Sequence, residues 1–377
     1  MATPTSDFNL KTITTSQFGK HLDATIKFGG NMIVFARRGT GKTVITKEAI
    51  RRAGMKEIYL NVSTVERVDF GGYPDLMNRE AVHKYIKFIL PEYYEALIEG
   101  DTPCVVLLDE VDKADPSVWA PLLELTQFRS INGRLLKNLH AVIMTGNMQA
   151  EGGQRPHHPL LDRAEKFIIE ANVSEWLNWA GDSKEIHPSV LAYIKDKPED
   201  LFGEIDPGDL YADPSPRGWT LASKFLFFAE ENNMSSEIMT EKVAGYVGKK
   251  AGIEYLTYFK YYQELLPMID KVFEGNPVIP GFTDLHPGKQ IVSCMIVASR
   301  FARILDETKP NMSKKEEKDF KRIMSHVGKF FLNADHEMSL MAIRSQVGIQ
   351  RTIAHNLDED DNWNNLLESI SNVVNSK

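Results

Sequence analysis

The chain has little cysteine, no long apolar run and no surplus of positive charge, and each shortage removes a class of protein. Among 377 residues only Cys104 and Cys294 are cysteines. Two are too few for a disulfide framework, and each lies in an apolar run, as buried thiols do in a reducing compartment. The longest apolar stretch, Ile291 to Ala298, is far short of the roughly 20 residues that a membrane-spanning helix requires. Met1 to Gln17 is rich in Thr and Ser and lacks the apolar segment of a secretory leader. The net charge is −8, so nothing global draws the chain to nucleic acid or to an anionic membrane. These absences predict a soluble, cytoplasmic protein with no membrane partner.

The residues present suit a globular chain of two or three domains, with 42% hydrophobic and 25% charged residues. From Asn31 to about Asn172, β-rich runs alternate with helical patterns, as in a parallel α/β sheet. The predicted strands are Met32–Ala36, Ile58–Val62, Cys104–Leu108, His140–Thr145 and Lys166–Ile169. Several are nearly continuous apolar runs, expected where helices cover both sheet faces. A helix is predicted from Gly41 to Ala53, closed by Gly54. Ser63-Thr64-Val65-Glu66 has capping-box spacing, Asp115-Pro116 reads as a helix start, and Asn132-Gly133 reads as a hairpin turn. After about Ser174 the pattern is helical. A linker is expected from Asp206 to Pro216, helices from Arg217 to Glu231 and from Thr240 to about Leu266, and a second boundary in Pro267 to Pro287.

Arg37-Arg38-Gly39-Thr40-Gly41-Lys42-Thr43 follows the first of these strands and opens a helix, the context a phosphate-binding loop demands. Arg38, Gly39, Thr40 and Gly41 would turn backbone N–H groups toward phosphate oxygens, with the positive end of the helix behind them. Lys42 would reach the terminal phosphates, and Thr43 would offer its hydroxyl to Mg²⁺. The first glycine of the pattern is Ala36, so the loop has to enter in an ordinary backbone conformation.

Val105 to Leu108 leads into Asp109-Glu110. Beside a phosphate loop, such a pair at a strand end supplies a carboxylate for the Mg²⁺ shell, Asp109, and one to orient or deprotonate water, Glu110. Alone it would read as a solvated loop. The following strand ends at Asn147, whose neutral amide suits a γ-phosphate or a water; the bland reading is a turn residue. Arg163, in Leu160-Leu161-Asp162-Arg163, is either a finger into a neighbouring copy's γ-phosphate or the partner of Asp162 or another nearby acid. Arg217 stands in the first turn of a helix begun by Ser215 and Pro216. The dipole disfavours a cation there, which marks it as a phosphate contact from the second domain. His336-Glu337 has Leu340 where a metalloprotease helix needs its second His. His157-His158 lacks partners at ligand spacing, and Asp358 to Asp361 lacks the glycine and glutamate of a calcium loop.

In this order the phosphate loop, acid pair, hairpin, Asn-tipped strand, Leu-Asp-Arg and Ser-Pro-Arg resemble the AAA+ ATPases, over roughly Phe28 to Leu266. More narrowly, Asp69-Phe70-Gly71-Gly72, Asp109 to Ala114 and Leu122 to Leu125 resemble the MoxR-like branch. The resemblance implies a P-loop NTPase parallel sheet core over residues 18–172, after a flexible N-terminus at 1–17. An α-helical lid would span 173–267, and 268–377 would be a helical region of unknown role. It implies ATP and Mg²⁺ as cofactors, with Asp109 on the metal, Glu110 activating water, Asn147 as sensor 1, Arg163 as trans finger and Arg217 as sensor 2. It also implies a ring, usually a hexamer, that remodels a protein client, often with a von Willebrand factor A-type adaptor. Two alternatives stay open. One is a motor on nucleic acid, contacting it through Arg129, Arg134 and Lys137 around the hairpin. The other is an ATP-binding scaffold with little turnover.

Overall fold

The computed structural model describes residues 10–75, 87–148, 158–183, 185–203, 213–307, 313–344, 349, 361–366 and 368. The expected linker, except for its last four residues, lies outside them, as do residues 1–9, His157 and Asp358. Two compact units divide the chain, residues 1–172 and 173–377.

The strands of the first unit are β1 (Lys11–Ile13), β2 (Asn31–Ala36), β3 (Lys56–Asn61), β4 (Tyr73–Pro74), β5 (Phe88–Ile89), β6 (Cys104–Asp109), β7 (Ser130–Ile131), β8 (Arg134–Leu135), β9 (Leu139–Asn147) and β10 (Glu165–Ile169). Six form one sheet in the order β1-β10-β2-β9-β6-β3, with every neighbouring pair parallel. Alternate side chains leave by opposite faces. Ile33, Phe35, Val106, Leu108, Val142 and Met144 pack into one core, and Met32, Val34, Ala36, Val105, Leu107 and Ile143 into the other. Burial on both faces is why these strands lack the alternation of a half-exposed sheet.

The predicted core strands are all present, each longer by one to three residues or shifted. The N-terminal stretch departs from expectation. Lys11–Ile13 pairs with β10, and a helix runs from Thr15 to Phe28 behind a Thr14/Gln17 capping box. Phe18, Leu22 and Ile26, four residues apart, are fully buried under it. At about 1.5–3 kcal/mol for each such side chain, these contacts hold residues 10–17 in the fold, so the segment is not the flexible end expected. The capping box expected at Ser63 is displaced. Val62–Thr64 is a single turn, and Glu66, with Asp69, caps the short helix Arg67–Gly71 instead.

Asn132 and Gly133 both have positive φ, 48° and 75°, and join β7 to β8 in the tight turn their residue types favour. The Glu124 carboxylate accepts from Asn132 N, Gly133 N and Ser130 Oγ, at 3.1, 2.8 and 2.9 Å, which fixes the hairpin to the helix Trp119–Phe128. The Asn132 amide also donates to the Gly71 carbonyl. That bond places the hairpin beside the small β4–β5 ladder, whose Tyr73, Phe88 and Ile89 are exposed.

The second unit is helical and shares one apolar core from Leu177 to Leu366. The boundary expected within Pro267 to Pro287 is not where the fold divides. The helix Lys249–Glu274 passes through Pro267, carried by the burial of Leu265, Ile269 and Val272 on one face. The helix expected from Thr240 to Leu266 is two, Ser236–Val247 and Lys249–Glu274, separated at Gly248 with φ 86°. Cys104 and Cys294 are both buried and free. Among the described residues no helix is long and apolar enough to cross a membrane.

Candidate nucleotide site

β2 ends at Ala36, whose side chain is buried and whose φ is negative, so the loop begins in ordinary backbone as its methyl group requires. The left-handed residues come later, at Gly39 (φ 75°) and Gly41 (φ 87°). Gly41 then leads into the helix Lys42–Arg52. A side chain at Gly41 would be strained by that φ, although a Cβ would meet Ile45 only at ordinary contact distance, 3.5 Å. The Thr40 hydroxyl donates to the Arg37 carbonyl at 2.6 Å, which closes the loop on itself. Arg37 is half-buried and Arg38 exposed.

Lys42 is only 8% exposed, and its ammonium is turned inward. It donates to the Ala36 and Arg37 carbonyls at 3.0 and 3.2 Å, and to Asn147 Oδ1 at 3.2 Å. Thr43, one residue on, donates its hydroxyl to Asp109 Oδ2 at 2.9 Å. Three strand ends therefore converge, because β9, tipped by Asn147, lies between β2 and β6 in the sheet. A parallel sheet with a lysine-bearing loop between strand and helix, facing carboxylates on a nearby strand tip, has a recognisable architecture. This is the parallel-sheet fold of a P-loop core.

Asp109 is held from three sides. Besides Thr43 it accepts from Thr145 Oγ1 and, at 3.3 Å, from the Tyr59 hydroxyl. Burial, with the Asp109 charge next, raises the Tyr59 pKa above that of a free phenol, so Tyr59 stays a donor. Hard oxygens suit Mg²⁺. Two on adjacent corners of an octahedron with bonds near 2.05 Å lie about 2.9 Å apart, the separation found between Thr43 and Asp109. Thr43 and Asp109 would hold such an ion, which would neutralise phosphate charge. Among the described residues no group of three His, Cys, Asp or Glu forms a metal cage, so phosphates and water would complete its shell.

Glu110 has φ 59° and ψ 39°, the left-handed region, which costs a residue with a Cβ about 1–2 kcal/mol. Its carboxylate accepts from Ser63 Oγ and Lys113 Nζ, both at 2.9 Å. The Lys113 bond is the larger cause of a Glu110 pKa below the ordinary carboxylate value, opposed by burial and assisted by Ser63. The group is ionised and able to orient a water or take its proton.

Arg163 stands at the other end of the sheet. In the β10–β2 register, Glu165 pairs with Met32 and Ile169 with Ala36, so Arg163 is about 15–20 Å of strand away from the loop. Its guanidinium donates to Gln127 Oε1 at 2.9 Å and to the Pro159 carbonyl at 2.5 Å. Arg217 belongs to the second unit. There it is exposed in the first turn of the helix Pro216–Glu231, which Ser215 caps by accepting from Gly218 N at 3.1 Å.

Around the hairpin, one of the three cations considered for nucleic acid is already engaged. Arg129 donates to Asn31 Oδ1 at 2.6 Å and to the Gly29 carbonyl at 3.0 Å, and burial lowers its pKa. It is a structural residue, whereas Arg134 and Lys137 are exposed. The residues that sequence reasoning did not place at the site are Tyr59, Ser63, Lys113, Thr145 and Asp112. Only Lys113, three residues after Glu110, stood at a telling spacing.

No protein-family model matches the chain, and no curated protein is similar to it. Among solved structures it is similar to RuvB of Thermotoga maritima. A proline-to-glycine mutant of that protein aligns at TM-score 0.40 and 13% identity, over 70% of this chain and 77% of its own. A structure titled as the RuvB Holliday junction branch migration motor aligns at TM-score 0.39 and 11% identity, over 71% and 79%.

Proposed function

We propose that the chain is a Mg²⁺-dependent ATPase of the AAA+ type, MoxR-like, acting as a cytoplasmic ring of identical copies, a hexamer, that remodels a protein client. The observation that carries this reading is the convergence of Lys42 with Asn147 and of Thr43 with Asp109, at 3.2 and 2.9 Å. ATP would lie along Arg38 to Thr43, with Lys42 passing from Asn147 to the terminal phosphates. Asn147 would then be free to contact the γ-phosphate, and Glu110 to orient the attacking water. Arg217 is the residue that the resemblance of Ser215-Pro216-Arg217 would make sensor 2.

Arg163 is too far along the strands to serve the loop of its own chain, which favours a finger that acts on the next copy. For the client, the exposed apolar ladder of Tyr73, Phe88 and Ile89 beside the hairpin is the surface that suits an unfolded or apolar segment. A von Willebrand factor A-type adaptor is the partner expected of the MoxR-like branch. The nucleic-acid reading is weakened by the loss of Arg129 as a contact, and the acidic net charge of −8 also opposes it.

The deciding experiment is Mg²⁺-dependent ATP turnover by the purified chain and by Glu110→Gln, with electron microscopy of the ATP-bound variant. Turnover abolished by the substitution, together with closed rings, supports the reading. Turnover that survives Glu110→Gln overturns the assignment of the base, and a lasting monomer overturns the ring.

A further inference from the structure

A buried carboxylate next to the nucleotide site has no role in the scheme above. Asp112 is 1% exposed. The ladder between β6 and β9 ends at Leu108 and Met144. Beyond that pair β6 delivers Asp109 and bends into the turn Val111–Lys113, whereas β9 runs on to Asn147. The Asn147 N–H thus extends past the last strand partner on that side, and Asp112 Oδ1 accepts from it at 2.9 Å. Gly146 leaves the space for this approach. A Cβ there would lie 3.1 Å from the same Asp112 oxygen and 2.8 Å from the Phe35 ring.

The other oxygen of Asp112 is buried and has no hydrogen-bond partner among the described residues. Leaving one oxygen of a buried carboxyl group without a partner is costly, so the fold tolerates a penalty to hold the other oxygen on the Asn147 N–H. The turn that contains Asp112 also contains Glu110, with Lys113 N donating to the Glu110 carbonyl at 2.9 Å. Glu110 is the residue held in left-handed backbone. One carboxylate therefore joins the strand tip that faces the phosphate to the turn that bears the candidate base.

We propose that Asp112 is a positioning residue that locks Asn147 and the Glu110 turn into one register. The amide that senses the terminal phosphate and the carboxylate that faces the water then keep a fixed spacing. The proposal rests on the ATPase reading of the site and assigns Asp112 no contact with nucleotide.

The test uses the full chain and four variants, Asp112→Ala, Asp112→Asn, Asn147→Ala and the Asp112→Ala/Asn147→Ala pair. For each, turnover at saturating ATP and the Kd of a fluorescent ATP analogue are measured. Asp112→Ala is expected to bind within about threefold of the original affinity and to turn over about 10- to 100-fold slower, a loss confined to kcat. Asp112→Asn keeps an oxygen for the Asn147 N–H and should recover most of that loss. The double variant should be no slower than the slower single one, because both act through one unit. Unchanged turnover in Asp112→Ala, multiplicative effects, or a fall in affinity that matches the fall in rate each overturns the proposal. Should Asp112→Ala fail to fold, Asp112→Glu carries the test. The same carboxyl group displaced by one methylene must slow turnover at constant affinity, and an unchanged rate overturns the proposal. A wild-type chain without ATPase activity would instead defeat the reading of the site as a whole.

Discussion

The Thr43 hydroxyl lies 2.9 Å from Asp109 Oδ2, joining the first turn of the loop helix to the tip of β6 across 66 residues of sequence. That contact sets the scale of the site, and the behaviour of variants follows from it and its neighbours.

Lys42→Ala removes the charge that would face the terminal phosphates and leaves the Ala36 and Arg37 carbonyls without their shared donor. Nucleotide affinity is expected to fall at least about 10-fold, the loss of one charge-assisted contact. Titration with a fluorescent ATP analogue measures it. Affinity equal to that of the original chain would remove the loop from the site.

Lys113→Ala tests the electrostatics of Glu110. Its carboxyl is held below the ordinary range first by the bond to Lys113, so without Lys113 it titrates at higher pH. The acid limb of the turnover-versus-pH profile should move upward. The sign for stability agrees. A depressed carboxyl stabilises the fold above its ordinary range, and that contribution disappears as pH falls through the lowered value. In the variant the folded and unfolded values draw together, so this contribution and its acid-induced loss both shrink. Matching profiles for the two proteins would place the acid limb on another group.

Arg163→Ala should still bind ATP and still assemble, yet turn over about 10³-fold slower or worse, the usual scale for a finger supplied by a neighbour. Mixing it with an excess of Glu110→Gln subunits distinguishes action in trans, because mixed rings regain activity only where a finger and a base meet. Normal hydrolysis by assembled Arg163→Ala would return Arg163 to its local role of bonding Gln127.

Arg129→Ala probes the fold alone. Losing the guanidinium strands Asn31 Oδ1 and the Gly29 carbonyl, and is expected to destabilise the first unit by about 1.5–3 kcal/mol, the range for hydrogen bonds to charged groups. Denaturant unfolding followed by a first-unit probe measures this. An unchanged midpoint would show that the two bonds contribute little.

Much of the core was legible because its signals are local. Strands buried on both faces read as apolar runs, Asn132-Gly133 states its turn, and the loop from Gly39 to Thr43 states its backbone. β1 was missed because three residues in a Thr-rich stretch carry no periodicity, and only pairing with β10 makes them a strand. Pro267 suggested a break because proline in a helix interior costs about 3 kcal/mol, but the burial of Leu265, Ile269 and Val272 prevails. Ser63 read as a cap from its spacing to Glu66, yet its hydroxyl is directed to Glu110, 47 residues away. Asp109 and Glu110 stand out in the sequence as an acid pair at a strand end, whereas Tyr59, Ser63, Thr145 and Asp112 join the site through contacts that no linear spacing encodes.

On the ATPase reading, the left-handed backbone at Glu110 sets the candidate base against the stability of its turn. Glycine, or asparagine among residues with a Cβ, tolerates that conformation best, so replacing Glu110 with either is expected to firm the turn while removing the base. A lineage released from hydrolysing nucleotide would gain by that exchange and keep its architecture. On the ATPase reading, a long acidic side chain in so unfavourable a place is a loss of stability tolerated for the water it would face.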